Sequence, residues 1–218
     1  MLTPVERRRL IRSQRLSDRL LPAVVGRLVA GLDPQPPWLP RRLAPVVSAD
    51  LDRDAGVGAV RIVWRPGSSR AETIDGVVER SAGKWVLTGG GGIADAGVPG
   101  PRRAVGRDGQ VGVIEVLTSG GLHSRSHLPA HSGDSHGAPW VGTTELRVAA
   151  EATRLLVGDR EVAVPAHGTL LLAWTSPPGG AAPRRPLILA LAPDGTEISR
   201  LGPNDSIDSS TWRLLDSP

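Results

Sequence analysis

Four histidines, His123, His127, His131 and His136, lie in one short stretch of the chain together with Asp134. Imidazole nitrogens spaced four or five residues apart can converge on one divalent ion where the backbone curls, and zinc or nickel suits such a nitrogen-rich set. The surrounding residues are Ser, Gly and Pro, so a helical face carrying the first three histidines is not expected, and no second ligand-bearing element is evident. Residues 118–139 therefore read as a polar loop, and no cofactor is expected. A hydrolase or metal-dependent enzyme built on this loop is the alternative function that the histidines define.

Two further spellings have catalytic precedents and fail on context. Gly133-Asp134-Ser135-His136-Gly137 has the Gly-x-Ser-x-Gly form of a nucleophile elbow, but an elbow needs a strand before it and a helix after it. A protease of the chymotrypsin kind places its base far upstream, and residues 1–122 contain no histidine; His167 is the one histidine downstream. The second spelling is the glycine run Gly89-Gly90-Gly91-Gly92 after Trp85-Val86-Leu87-Thr88, which has no helix behind it to receive a pyrophosphate and reads as a turn between strands. Asp50, Asp52 and Asp54 alternate beside Arg53 and read as solvated carboxylates of a linker.

The strongest patterned feature is cationic. Arg8, Arg12, Arg15 and Arg19 recur at steps of three and four, which places their guanidinium groups along one side of a helix. Leu10, Ile11, Leu20, Leu21, Val24, Val25, Leu28 and Val29 fall on the other side. A wet basic face backed by an apolar stripe attracts an acidic protein surface, a phosphate backbone or an anionic lipid headgroup. No aromatic residue is interleaved with the arginines to stack on bases, and the apolar stripe carries no Trp or Phe anchor for a bilayer. A protein partner, or a second copy of this chain, is expected to meet Arg8, Arg12, Arg15, Arg19, Leu20, Val24, Leu28 and Trp38. Nucleic-acid association through the arginine stripe is the second alternative.

Composition narrows the chemistry further. The 218 residues include no Cys, Phe or Tyr, one Met, six Trp and a single lysine, Lys84. Thiolate nucleophiles, thiolate metal sites and phenolic acids are excluded. The scarcity of residues with AT-rich codons predicts a GC-rich, actinobacterial genome. The formal charge is only +4, so the isoelectric point of about 11.0 reflects missing Tyr, Cys and Lys. Residues 1–45 hold nine Arg against Glu6, Asp18 and Asp33, a net +6, which leaves −2 for the remainder. Residues 20–32 are interrupted by Pro22 and Arg27 and lack a small-residue cleavage site, so neither a signal peptide nor a membrane span is expected, and the protein reads as cytoplasmic.

The elements that must position these groups follow from periodicity. Thr3-Pro4-Val5-Glu6 has the form of a capping box, opening a helix that Pro22 kinks or divides and Gly31 ends. Residues 33–45 are too proline-rich for helix or central strand and read as an extended arm pinned by Trp38. Beyond Asp54, short apolar runs predict strands at 57–65, 72–80, 84–88, 111–117, 140–149, 152–157, 161–164, 169–175, 186–192 and 196–201, with a tight hairpin at Asp194-Gly195. No further strong helix is expected. The organisation expected is a basic amphipathic helical segment (1–32), a Pro-rich linker or arm (33–54) and an all-β domain (55–218) of the β-sandwich or rolled β-barrel kind. Six tryptophans are expected to serve as the large core fillers. The function expected is a non-catalytic protein-binding or assembly module that docks through its helix and arm.

Overall fold

The computed structural model describes residues 4–94, 98–106, 112–124, 138–177 and 183–215, and of these the side chains of 4–10, 91–94 and 214–215 are left out. The protein is mainly β, with three antiparallel sheets and an N-terminal helix. The chain divides into two compact units, Met1–Val98 and Pro99–Pro218.

In the first unit, helix α1 (Pro4–Val29) is followed by strands β1 (Val46–Asp52), β2 (Val57–Trp64), β3 (Glu72–Ser81) and β4 (Lys84–Ala94), which form a sheet in sequence order. Pro22 is carried inside the one helix. The helix ends as a left-handed cap at Gly31, φ 73°, where Leu32 N donates to Arg27 O at 3.0 Å. Side chains on alternate strand positions share a face. The register pairs Val60 with Gly76 and Ile62 with Ile74. That face packs on α1, where Leu20, Leu21 and Val24 are buried and Leu16, Val25 and Leu28 flank them. Each of the three buried aliphatic groups contributes about 1.5–3 kcal/mol.

Glycine makes this contact close. A Cβ on Gly76 would sit 2.8 Å from Leu21 Cδ2, and one on its partner Gly90 would sit 2.6 Å from Asp75 O. The glycine run is therefore strand β4, not the turn expected, because bare backbone is what lets neighbouring groups approach there. On the opposite sheet face Arg61 and Asp75 are cross-strand partners joined by two hydrogen bonds of 2.7 Å.

The proline-rich stretch folds around a buried amide. Gln35 Nε2 donates to Leu39 O at 2.7 Å and Ala44 O at 3.3 Å, while Val46 N donates to Gln35 Oε1 at 2.9 Å. These bonds bring Leu39 and Ala44 into the helix–sheet core. Gln35 and Leu39 anchor the stretch, whereas Trp38, expected as its pin, is 55% exposed.

The second unit holds β5 (Ile114–His123), β6 (Trp140–Val148), β7 (Arg154–Val157), β8 (Arg160–Ala163), β9 (Thr169–Ser176), β10 (Ile188–Leu191), β11 (Glu197–Leu201) and α2 (Ser209–Leu215). One sheet runs β5-β6-β9 and the other β11-β10-β7-β8, and both feed one core. Ile114, Leu146, Val148 and Leu172 come from the first, and Leu155, Ile188, Ala190 and Leu201 from the second. Strand β5 continues through Ser119-Gly120-Gly121 to His123, inside the stretch expected to be a loop. Backbone pairing of Gly120 with Thr143 and of Gly121 with Gly142 needs no apolar period.

The core is aliphatic rather than tryptophan-filled. Trp174 is buried, with Nε1 donating to Thr144 Oγ1 at 3.0 Å. Trp38 and Trp212 are exposed, and Trp64, Trp85 and Trp140 are half-buried. Gly142 lies opposite Trp174, and a Cβ there would fall 2.2 Å from the indole.

Candidate partner-binding surface

Helix α1 is 26 residues long, which at 1.5 Å per residue gives about 39 Å. Its described contacts with the core begin at Leu16. Ile11, one turn and a half earlier, is 46% exposed, so the sheet does not cover this part of the apolar stripe. The exposed half carries Arg12, Arg15 and Arg19, whose side chains all face solvent. Ile11, Arg12, Arg15, Leu16 and Arg19 line a shallow groove of about 420 Å³. Arg8 lies on the same helix, with its side chain outside the described residues.

Electrostatics make this an unsettled face for a free helix. Like charges three or four residues apart repel by about 0.2–0.5 kcal/mol per pair. Among the described residues, none of Arg12, Arg15 and Arg19 has an ion-pair partner. The other end of α1 differs. Arg27, in the last turn where a cation complements the dipole, donates from Nε to Asp33 O beyond the helix at 2.7 Å, and Arg53 caps the last helical carbonyl, Val29 O, at 2.7 Å.

The apolar residues expected to meet a partner divide by position. Leu20 and Val24 are 2% and 0% exposed within the unit's own core, and Leu28 is packed beside them. Trp38 stands on the surface.

Of the histidine cluster, His123 ends β5 with its ring edge against Trp140, the centroids 5.1 Å apart. His127, His131 and His136 lie outside the described residues, as do Asp134 and Ser135. Among the described residues no group of three or more His, Asp or Glu is gathered as a metal site. His167 Nδ1 accepts from Thr169 N at 3.2 Å. No helix among the described residues is long and apolar enough to cross a membrane.

Two constellations gave almost no signal in the sequence. One is a cleft in the second unit whose lining includes Arg102, Arg103, Arg147 and His167. Its only local trace was the alternation Glu145-Leu146-Arg147, which puts two charges on one strand face. The other is Asp208, fully buried, which caps α2 and binds β5 and β11 to it. Set against protein-family models, curated proteins and solved structures, the chain matches none of them.

Proposed function

We propose that this chain is a non-catalytic protein-binding or assembly module of a GC-rich, actinobacterial cytoplasm. Its N-terminal helix docks on an acidic face of another protein or of a second copy. The second unit is read as a β-sandwich, since two sheets contribute to one core. The observation that carries the functional reading is the uncovered first half of α1, where Ile11 and the groove beside Leu16 are rimmed by Arg12, Arg15 and Arg19. An acidic partner relieves the mutual repulsion of these groups. The exposed indole of Trp38 is the second contact of the proposed interface.

Truncation is a poor test, because residues 1–45 supply Leu20, Leu21, Val24, Leu39 and Ala44 to the core. Charge reversal of Arg12→Glu, Arg15→Glu and Arg19→Glu leaves that core intact. The expected outcome is that full-length protein retains an acidic partner from its native cells, or self-associates in sedimentation equilibrium. The triple variant, melting at the same temperature, does neither. Unchanged partners and unchanged association in the variant refute the reading. Retention of nucleic acid in place of protein, lost steeply with added salt, replaces it with the phosphate-binding alternative.

A further inference from the structure

The second unit contains a cleft of about 270 Å³ whose polar lining is Arg102, Arg103, Glu145, Arg147, His167 and Thr169. Strand register builds it. Arg147 on β6 lies directly opposite Glu115 on β5 and Thr169 on β9. Its Nη1 reaches Glu115 Oε2 at 3.3 Å. A guanidinium has five N–H donors in a planar fork, so this one contact orients Arg147 without exhausting it. The Arg147 side chain is 42% exposed.

Backbone contacts place Arg102 through its guanidinium and Arg103 through its own main chain. Arg102 Nη1 donates to Ala152 O, and Ala150 N donates to Arg103 O at 2.9 Å. Gly168 has φ 72°, and a Cβ there would meet Val148 O at 2.5 Å and Arg102 Cγ at 2.6 Å. Glycine thus lets the Arg102 stem lie against the turn that carries His167. The Thr169 N–H bond to His167 Nδ1 holds the imidazole against this turn.

Charge and shape select the ligand class. Arg102, Arg103 and Arg147 supply the cationic lining, and two carboxylates stand beside them, Glu145 in the lining and Glu115 paired with Arg147. Those carboxylates repel a dianion more strongly than a monoanion. Facing the donors is an apolar wall of Leu117, Pro99 and Pro101, with Leu117 41% exposed. We propose that this cleft is a binding site for a small aliphatic carboxylate, whose two oxygens lie on the Arg147 fork and whose chain lies along Leu117. This site is independent of the docking surface on α1.

Titration of the full-length protein with acetate, butyrate and inorganic phosphate, followed by calorimetry and amide chemical shifts, tests it. Saturable millimolar binding is expected for butyrate, weaker binding for acetate, and none for butyramide, which keeps the chain and loses the charge. Arg147→Gln is expected to weaken butyrate at least tenfold. Leu117→Ser, an exposed position that loses no side-chain hydrogen bond and adds no charge, is expected to abolish the preference for butyrate over acetate. The proposal is overturned by an absence of saturation, by phosphate binding more tightly than butyrate, or by butyrate binding unchanged in both folded variants.

Discussion

Asp208 offers the sharpest test of how the second unit is held together. Its carboxylate is wholly buried and accepts five hydrogen bonds. Oδ2 takes Ile114 N at 2.7 Å, Ser199 Oγ at 2.8 Å and Ser210 Oγ at 2.8 Å. Oδ1 takes Thr211 N at 2.9 Å and Thr211 Oγ1 at 2.6 Å. One side chain thereby joins the start of β5, strand β11 and the first turn of α2. In Asp208→Asn an amide NH2 must replace one oxygen, and hydroxyls can rotate away from it but a backbone N–H cannot. Either Ile114 N or Thr211 N is then orphaned, costing about 1–3 kcal/mol, and the surviving bonds lose their charge assistance. The total is about 2–4 kcal/mol, and Asp208→Ala, which orphans both amides, costs about 3–5 kcal/mol. For a unit of this size the Asn variant should melt about 8–16 °C lower.

The pH dependence of the same group has a definite sign. Burial, the largest single influence, pushes the Asp208 carboxyl up, but the bonds from Thr211, Ile114 and Ser199 together outweigh it and hold its pKa below the ordinary carboxylate value. Between the folded and unfolded pKa values the unfolded chain binds more protons, so stability rises with pH there. The contribution is complete above the ordinary carboxylate pKa and is lost as pH falls through the folded one. Calorimetry from neutral to acid pH, combined with native-state hydrogen exchange at the Ile114 and Thr211 amides, reads both effects. Asp208→Asn should melt lower, expose one of these two amides to exchange and lack this part of the acid sensitivity. A variant that melts like wild type with both amides still protected would refute the reasoning.

Two other substitutions probe the packing of each unit. Leu21→Ala removes a side chain 1% exposed between α1 and the sheet, and chemical denaturation should show a loss of about 2–5 kcal/mol. Gly142→Val drives branched carbons into the Trp174 indole; it should cost about 1–3 kcal/mol or more and change the tryptophan emission. Gly142→Val emission and stability identical to wild type would show that the indole is not seated against that strand.

Much of the second unit's strand pattern was legible because its signals are local. Leu146 and Val148 on β6 alternate with Glu145 and Arg147, and Asp194-Gly195 supplies the turn between β10 and β11. The stripe of Leu20, Val24 and Leu28 also read correctly as one helix face. Strand β1 was hidden because Asp50 and Asp52 resemble solvated linker carboxylates, yet Asp50 is 5% exposed on the sheet. The far half of β5 is Thr, Ser and Gly, whose strand character comes from β6 rather than from itself. Helix α2 spans only seven residues and depends on the Asp208 cap, so its own propensity carries no clear period.

The amino-acid order alone determined where the chain turns, which stretches alternate and which face of α1 is greasy, because these depend on backbone preferences and side-chain periods over a few residues. It did not determine that the greasy face is occupied by the unit's own sheet as far as Leu28 while Ile11 is left open, nor that Arg102, Arg147 and His167 meet around one cleft. Those outcomes depend on strand register and on glycine gaps between residues far apart in the chain, which exist only once the sheets have paired and the helix has packed.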